Sequence, residues 1–344
     1  MIILAIDTSC DETSVAVVDG RRILSNVVSS QIRYHRKFGG VVPFLAQRLH
    51  KERIDSVLEL AVERSGLSWN QIEAIAVTQG PGLAPALQVG IEKARDLSAR
   101  HNLPLYAINH MAGHIASCLA QTGSRKPEVT YPALAVLVSG GHSELVLMKS
   151  FGDFQVIGET LDDALGEAYD KVAIMLGLGY PGGRLVAKLA KEGNPDAFPL
   201  PIAMRYSKDL NLSYSGLKNA VRLVTLACKE ESGGALTATQ INDICASFQN
   251  VAQQSLLVKV EKALKDHPEV SSILLAGGVA ANAELRRRLR SLAKKYQLSF
   301  HVPANLKLCT DNAAMIGVAA SLGIENTLQP SAPEAIDRKP GLHF

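Results

Sequence analysis

Ala133-Leu134-Ala135-Val136-Leu137-Val138-Ser139-Gly140-Gly141-His142-Ser143-Glu144-Leu145-Val146-Leu147 is an apolar run, a tight hydroxyl- and glycine-bearing turn, and a second run. The same arrangement stands near the start of the chain. There Met1–Ile6 and Ser14–Val18 flank Asp7-Thr8-Ser9-Cys10-Asp11-Glu12-Thr13. Runs of this length bounded by turn residues read as hairpins. In each case a third strand follows, about Arg22–Ser29 and Phe154–Glu159. Strand, polar turn, strand, strand therefore occurs twice, beginning near residues 2 and 133. Such an internal duplication predicts an α/β protein of two similar lobes facing a shared cleft.

The rest of the chain fits that plan. Pro43–Ser65 carries Leu45, Leu49, Ile54, Val57, Leu58 and Ala61 near helical spacing. Strands are expected at Ile72–Thr78, Leu105–Ile108, Ser272–Ala276 and Phe300–Val302, with helices between them. A polar stretch from Gln121 to Tyr131 marks the lobe boundary. The expected organisation is a first lobe over 1–130 and a second over 131–325. The last helix, from about 311, is a candidate to pack back on the first lobe. Residues 326–344, rich in proline, read as a loose tail.

Composition sets broad limits. Of 344 residues, 47% are hydrophobic and 20% charged, the balance of an ordinary globular protein. The net charge of +3 does not by itself argue for nucleic acid. The five cysteines are scattered, with no C-x-x-C, which points to free thiols in a reducing compartment. No apolar run reaches bilayer length, and a cytoplasmic protein without membrane contact is expected.

Chemistry concentrates at a few places. In Ile108-Asn109-His110-Met111-Ala112-Gly113-His114, two histidines four apart share one helix face, with Asn109 placed to cap it. Two such imidazoles can hold one metal ion, and two buried, hydrogen-bonded histidines would look the same. A zincin peptidase needs Glu after the first His, and Met111 stands there. Asp311, in Thr310-Asp311-Asn312, is a candidate third ligand or simply a helix cap. The acidic turn Asp7–Thr13, with Asp11 and Glu12 in it, suits phosphate or metal chemistry, or is a solvated turn. Glycine turns at Ser139–Ser143, Gly179–Gly183 and Gly277–Asn282 let a ligand approach the backbone closely. None is a P-loop or G-x-G-x-x-G, but three together suggest a nucleotide-type ligand between the lobes. The basic residues of Arg286–Lys295, and Arg33, Arg36 and Lys37, read as solvated faces that phosphate could also use.

Taken in order, Ile6–Thr13, Gly80–Leu83, His110-x-x-x-His114, Val138–His142, Gly166–Lys171, Tyr180–Gly183, Ser213–Lys218, Ala276–Asn282 and Cys309–Met315 resemble the TsaD family. The resemblance runs from residue 2 to about 320. It implies the actin-like, Hsp70-like ATPase (ASKHA) fold. It further implies transfer of threonylcarbamoyl from threonylcarbamoyl-AMP to N6 of the adenosine just 3′ of the anticodon in tRNA. By the same resemblance His110, His114 and Asp311 are ligands of one divalent metal, iron or zinc. Leu137, Val138, Ser139, Gly140 and Gly141 match the phosphate-side loop, and Asp170, Gly183 and Asn282 match residues holding the nucleotide. TsaB-like and TsaE-like partner proteins are implied as well. For Asp11 and Glu12, the chemistry suggests taking or orienting the amine proton. Departures from the family pattern are Phe44, where an acidic residue is expected, Ala84-Pro85, and Asn109, where a further His is common. The alternatives are a carbamoyltransferase of this fold with a small-molecule or protein acceptor, an ATP-hydrolysing chaperone or sugar kinase, and a non-catalytic scaffold.

Overall fold

A computed structural model describes residues 1–344. Ten strands form two sheets: β1 (Ile2–Asp7), β2 (Glu12–Asp19), β3 (Arg22–Ser30), β4 (Ala74–Gly80), β5 (Leu105–Asn109), β6 (Ala133–Val138), β7 (Ser143–Ser150), β8 (Asp153–Glu159), β9 (Ser272–Ala276) and β10 (Ser299–His301). The first sheet runs β3-β2-β1-β4-β5 and the second β8-β7-β6-β9-β10. In both, three strands form an antiparallel meander and two more join in parallel beside the first. The duplication read from the two hairpins is thus a duplication of whole sheets.

The helices are α1 (Ile32–His35), α2 (Pro43–Ser65), α3 (Ala84–His101), α4 (His110–Ser117), α5 (Leu165–Met175), α6 (Gly183–Leu189), α7 (Ser215–Glu231), α8 (Ala238–Asp266), α9 (Ala283–Lys295) and α10 (Ala313–Glu325). Helices α2 and α3 cover the outer face of the first sheet, where Leu4, Ile6, Val15 and Val17 point. Residues of α5, α7, α8 and α9 join Leu134, Val136 and Val138 of the second sheet in another core. Because strand side chains alternate, the opposite faces carry Ala5, Ala16, Ala74 and Ala76 on one sheet and Ala133, Ala135 and Leu137 on the other. These residues share one core with α4 and α10.

That middle core is rich in alanine, and its two helices meet their neighbours closely at glycines. A Cβ on Gly317 of α10 would come within 2.8 Å of Val18. One on Gly113 of α4 would come within 2.8 Å of Ile316. Helix α10 therefore packs on β1, β2 and α4, although it follows the second sheet in sequence.

One expectation is overturned. Residues 326–344, read as loose from their prolines and polarity, are tied across the first sheet. Ser331 bridges Leu105 at the β5 edge, Ile336 is fully buried in the first-lobe core, and Lys339 N–H donates to the Gln79 carbonyl at 2.8 Å. Proline does not prevent this, because an added segment on a sheet edge needs only occasional backbone bonds.

Candidate active site

The sequence builds a short helix at the carboxyl end of β5. Asn109 ends the strand, and its Oδ1 accepts from the Met111 and Ala112 N–H groups at 2.7 and 3.3 Å. That cap starts α4 with His110 in its first turn, so His110 and His114 project one above the other. Their rings meet edge to face with centroids 4.7 Å apart.

Asp311 reaches the same point from the other end of the chain. It is not a cap: Asn312 caps α10 by accepting from Met315 N–H at 3.2 Å, and Ser14 Oγ accepts from Ala313 N–H at 2.8 Å. The Asp311 carboxylate is left free, with Oδ1 3.5 Å from His110 Nε2 and 3.3 Å from His114 Nε2. One donor atom from each of the three residues lies within 4.8 Å of the other two. His110 Nδ1 and both ring nitrogens of His114 are buried without a hydrogen-bond partner. Leaving such groups unsatisfied costs about 1–3 kcal/mol each. Two imidazoles and a carboxylate with lone pairs converging on one point fit a transition-metal ion.

A second carboxylate, which the sequence offers only as part of the acidic turn, stands behind the pair. Asp7, wholly buried at the end of β1, places Oδ1 3.5 Å from His110 Nδ1 and accepts there from Thr78 Oγ1 at 2.8 Å and Ser9 N–H at 3.2 Å. Burial draws His110 down, but Asp7 and Asp311 overrule it and hold the imidazole up to about 10. Burial keeps His114 below its ordinary value. The two carboxylates thus create a field that favours positive charge at this point. The available signal for Asp7 was an acidic residue closing a buried apolar strand.

The acidic turn faces the same cleft. Burial, then the Asp311 charge, lifts Asp11 to about 6. Burial and Asp11 lift Glu12 to about 8. Burial raises the phenol of Tyr180, in the second lobe's glycine turn, with the charges of Asp11 and Asp170 adding to it. Arg36 Nε donates to the Tyr180 carbonyl at 3.1 Å, joining the lobes. Neither Tyr180 nor Arg36 was marked as a site residue by sequence reasoning.

On the second lobe, Leu137 and Val138 are strand residues with fully buried side chains, so only their backbone can meet a ligand. The turn that follows is held by Ser139 Oγ, which accepts from His142 N–H at 3.0 Å, and by the Ser139 carbonyl, which accepts from Gly166 N–H at 3.1 Å. Gly140 and Gly141 project with nothing within 4 Å of where a Cβ would stand. Burial and the charges of His110 and His114 push His142 down to about 4, so it is a neutral neighbour of the histidine pair. Asp170 Oδ1 accepts from Gly182 and Gly183 N–H at 2.7 and 3.2 Å and so shapes the Tyr180–Gly183 turn. Asn282 caps α9 through Glu284 and Leu285 N–H and donates to Gln249 at 2.8 Å, while Gln253 donates to it at 3.2 Å. Both side chains are thereby tied into the second lobe. In the basic helix α9, Arg287 and Arg288 pair with Glu284, and Lys295 pairs with Glu261.

Comparison with known proteins agrees with this arrangement. Residues 22–318 match the family model of TsaD, tRNA N6-adenosine threonylcarbamoyltransferase. A tRNA N6-adenosine threonylcarbamoyltransferase of Bacillus subtilis (strain 168) is 47% identical over 347 residues, covering 100% of this chain and 96% of the relative. One from Halalkalibacterium halodurans is 48% identical over 323 residues, covering 93% and 90%. Among solved structures, full-length HypF in its phosphate- and nucleotide-bound form aligns with a TM-score of 0.60 at 15% identity, over 96% of this chain and 56% of HypF. The activator of 2-hydroxyisocaproyl-CoA dehydratase from Clostridium difficile, with bound ADPNP, aligns at 0.52 and 14% identity, over 96% and 100%. At such identities these two bear on the fold alone, and they agree with the two-lobed ASKHA architecture.

Proposed function

Because the chain belongs to the TsaD family of tRNA N6-adenosine threonylcarbamoyltransferases, and is accordingly a transferase, we propose that it takes threonylcarbamoyl from threonylcarbamoyl-AMP. The acceptor is N6 of the adenosine just 3′ of the anticodon in tRNAs reading ANN codons, and AMP is released. The observation that carries this reading is the convergence of His110, His114 and Asp311 beside the acidic turn of Asp11 and Glu12.

His110, His114 and Asp311 would hold one divalent ion, iron(II) or zinc. Bound there, it supplies Lewis-acid polarisation of the acyl donor. The donor is a mixed anhydride, already activated, so positioning and charge stabilisation are the main demands. The projecting Gly140–Gly141 backbone offers N–H groups to the departing phosphate. Asp170 and Gly183, through the Tyr180–Gly183 turn, and Asn282, through the start of α9, form the wall against which the nucleotide lies. As the N6 nitrogen bonds to the carbamoyl carbon, the bond from that carbon to the phosphate oxygen breaks and the nitrogen sheds a proton. Asp11, titrating near 6, is ionised at neutral pH and able to accept it. Glu12, titrating near 8, retains its own proton there and has it available to donate to the substrate.

We propose that the protein works in the cytoplasm with TsaB-like and TsaE-like partners. No helix is long and apolar enough to cross a membrane. The test is reconstitution with tRNA, the adenylate donor and these partners, followed by mass spectrometry of the digested nucleosides. Threonylcarbamoyladenosine that appears with the wild type and vanishes in His110→Ala and Asp311→Ala supports the reading. No modified nucleoside, with the donor shown intact, overturns it.

A further inference from the structure

The C-terminal strap ends beside the metal-binding helix. Beyond the buried Ile336, Gln79 Nε2 donates to the Asp337 carbonyl at 2.9 Å, and Gly82 N–H donates to the Pro340 carbonyl at 3.1 Å. Gly80 makes room: a Cβ there would overlap the Lys339 carbonyl. Leu342 N–H then turns the chain back on the Lys339 carbonyl at 3.1 Å. The turn presents the His343 carbonyl to Asn109 Nδ2 at 3.1 Å. Phe344 closes the strap on the other lobe, its ring 4.8 Å from that of Phe154.

Asn109 is therefore held at both ends of its amide. Oδ1 accepts from two N–H groups of the first turn of α4, and Nδ2 donates to the strap. The two ends of an Asn amide are nearly equal in shape but opposite in hydrogen bonding. A carbonyl has only lone pairs, so the His343 carbonyl accepts one orientation, and that orientation is the one that caps α4. The next residue is His110, and His114 lies one turn on.

We infer that the C-terminal strap is a working part of the metal centre, with Asn109 as the positioning residue through which the His343 carbonyl orients His110 and His114. This rests on the metal reading of the His110–His114–Asp311 triad. Partners that orient metal ligands from behind are worth roughly 10–100-fold in affinity. A single backbone carbonyl acting through one side chain is placed at the low end of that range.

The test is zinc affinity of the full chain, measured by competition with a chromophoric chelator at neutral pH. His110→Ala sets the background, and thermal melting accompanies each variant. One variant terminates after Pro340. A second, Asn109→Ser, retains a good helix cap but cannot reach His343. Each is expected to lose roughly tenfold in zinc affinity, and the combined variant no more than Asn109→Ser alone, because both changes cut the same link. Wild-type affinity in Asn109→Ser overturns the inference, even where the truncated chain does not fold. So does a combined loss equal to the product of the two. A wild-type chain that binds zinc no better than His110→Ala overturns the metal reading itself, and the inference with it.

Discussion

Gly113 of α4 packs directly against Ile316 of α10, leaving no room for a side chain between them. Gly113 lies between His110 and His114, and Ile316 lies in the first turn of α10, shortly after Asp311. The contact therefore sets the distance between the histidine pair and its carboxylate. Gly113→Val should push the helices apart, with an overpacking cost of about 1–3 kcal/mol. Metal bound after dialysis should fall well before the fold is lost. Elemental analysis beside a melting curve checks this, and full metal content in a destabilised Gly113→Val chain would break the link.

Asp7 backs His110 with a charge that Asn cannot supply. Asp7→Asn preserves shape and an oxygen for Thr78 while removing one of the two carboxylates beside His110. Metal affinity should drop roughly tenfold, as for other partners behind a metal ligand. Chelator competition measures it, and an unchanged affinity would reduce Asp7 to a structural hydrogen-bond acceptor.

The acidic turn predicts two pH effects of opposite sense. Transfer should rise as Asp11 ionises near pH 6, and Asp11→Asn should lose the rise. Stability should move the other way. Glu12 titrates near 8 in the fold and near its ordinary value when unfolded, so between those limits the native state binds more protons. Its contribution to stability is present below the unfolded value and is lost as pH rises through the folded one. Glu12→Gln should flatten the fall in chemical-denaturation midpoint between about pH 5 and 8. A midpoint that falls equally in both chains would show that Glu12 is not the titrating group.

Gln253 holds Asn282 from the buried side, in a network with Tyr169 and Gln249. Gln253→Leu leaves these groups short of partners and should cost about 1–3 kcal/mol in urea denaturation. If Asn282 helps to hold the nucleotide, KM for the adenylate donor should rise more than kcat falls. An unchanged KM would confine Asn282 to capping α9.

Much of this was legible in the chain. The two polar-turned hairpins announced the duplication because strand periodicity and turn chemistry are local properties. Asn109 was legible as a cap for the same reason. The His pair was legible as a shared face, since helix geometry places residues four apart together. Asp311 could be named a ligand only through resemblance, because its own neighbours describe a helix cap equally well. Asp7 was legible only as part of an acidic turn, and the surroundings of Tyr180 and of the strap were not legible. A buried carboxylate, a tyrosine in a glycine turn and a proline-bearing tail have no local pattern that states what they will face.

The sequence by itself determined the elements, their order and the chemistry each carries, since these follow from periods of two and 3.6 residues and from turn and cap preferences. Tertiary structure alone decided which of those groups meet. Small residues in the middle core let α10 return to the first sheet. That return carries Asp311 to histidines some two hundred residues earlier in the chain, and an edge of the first sheet captures a tail that no periodicity marked. Contacts of that kind depend on the fit of surfaces distant in sequence, and no window of neighbouring residues contains it.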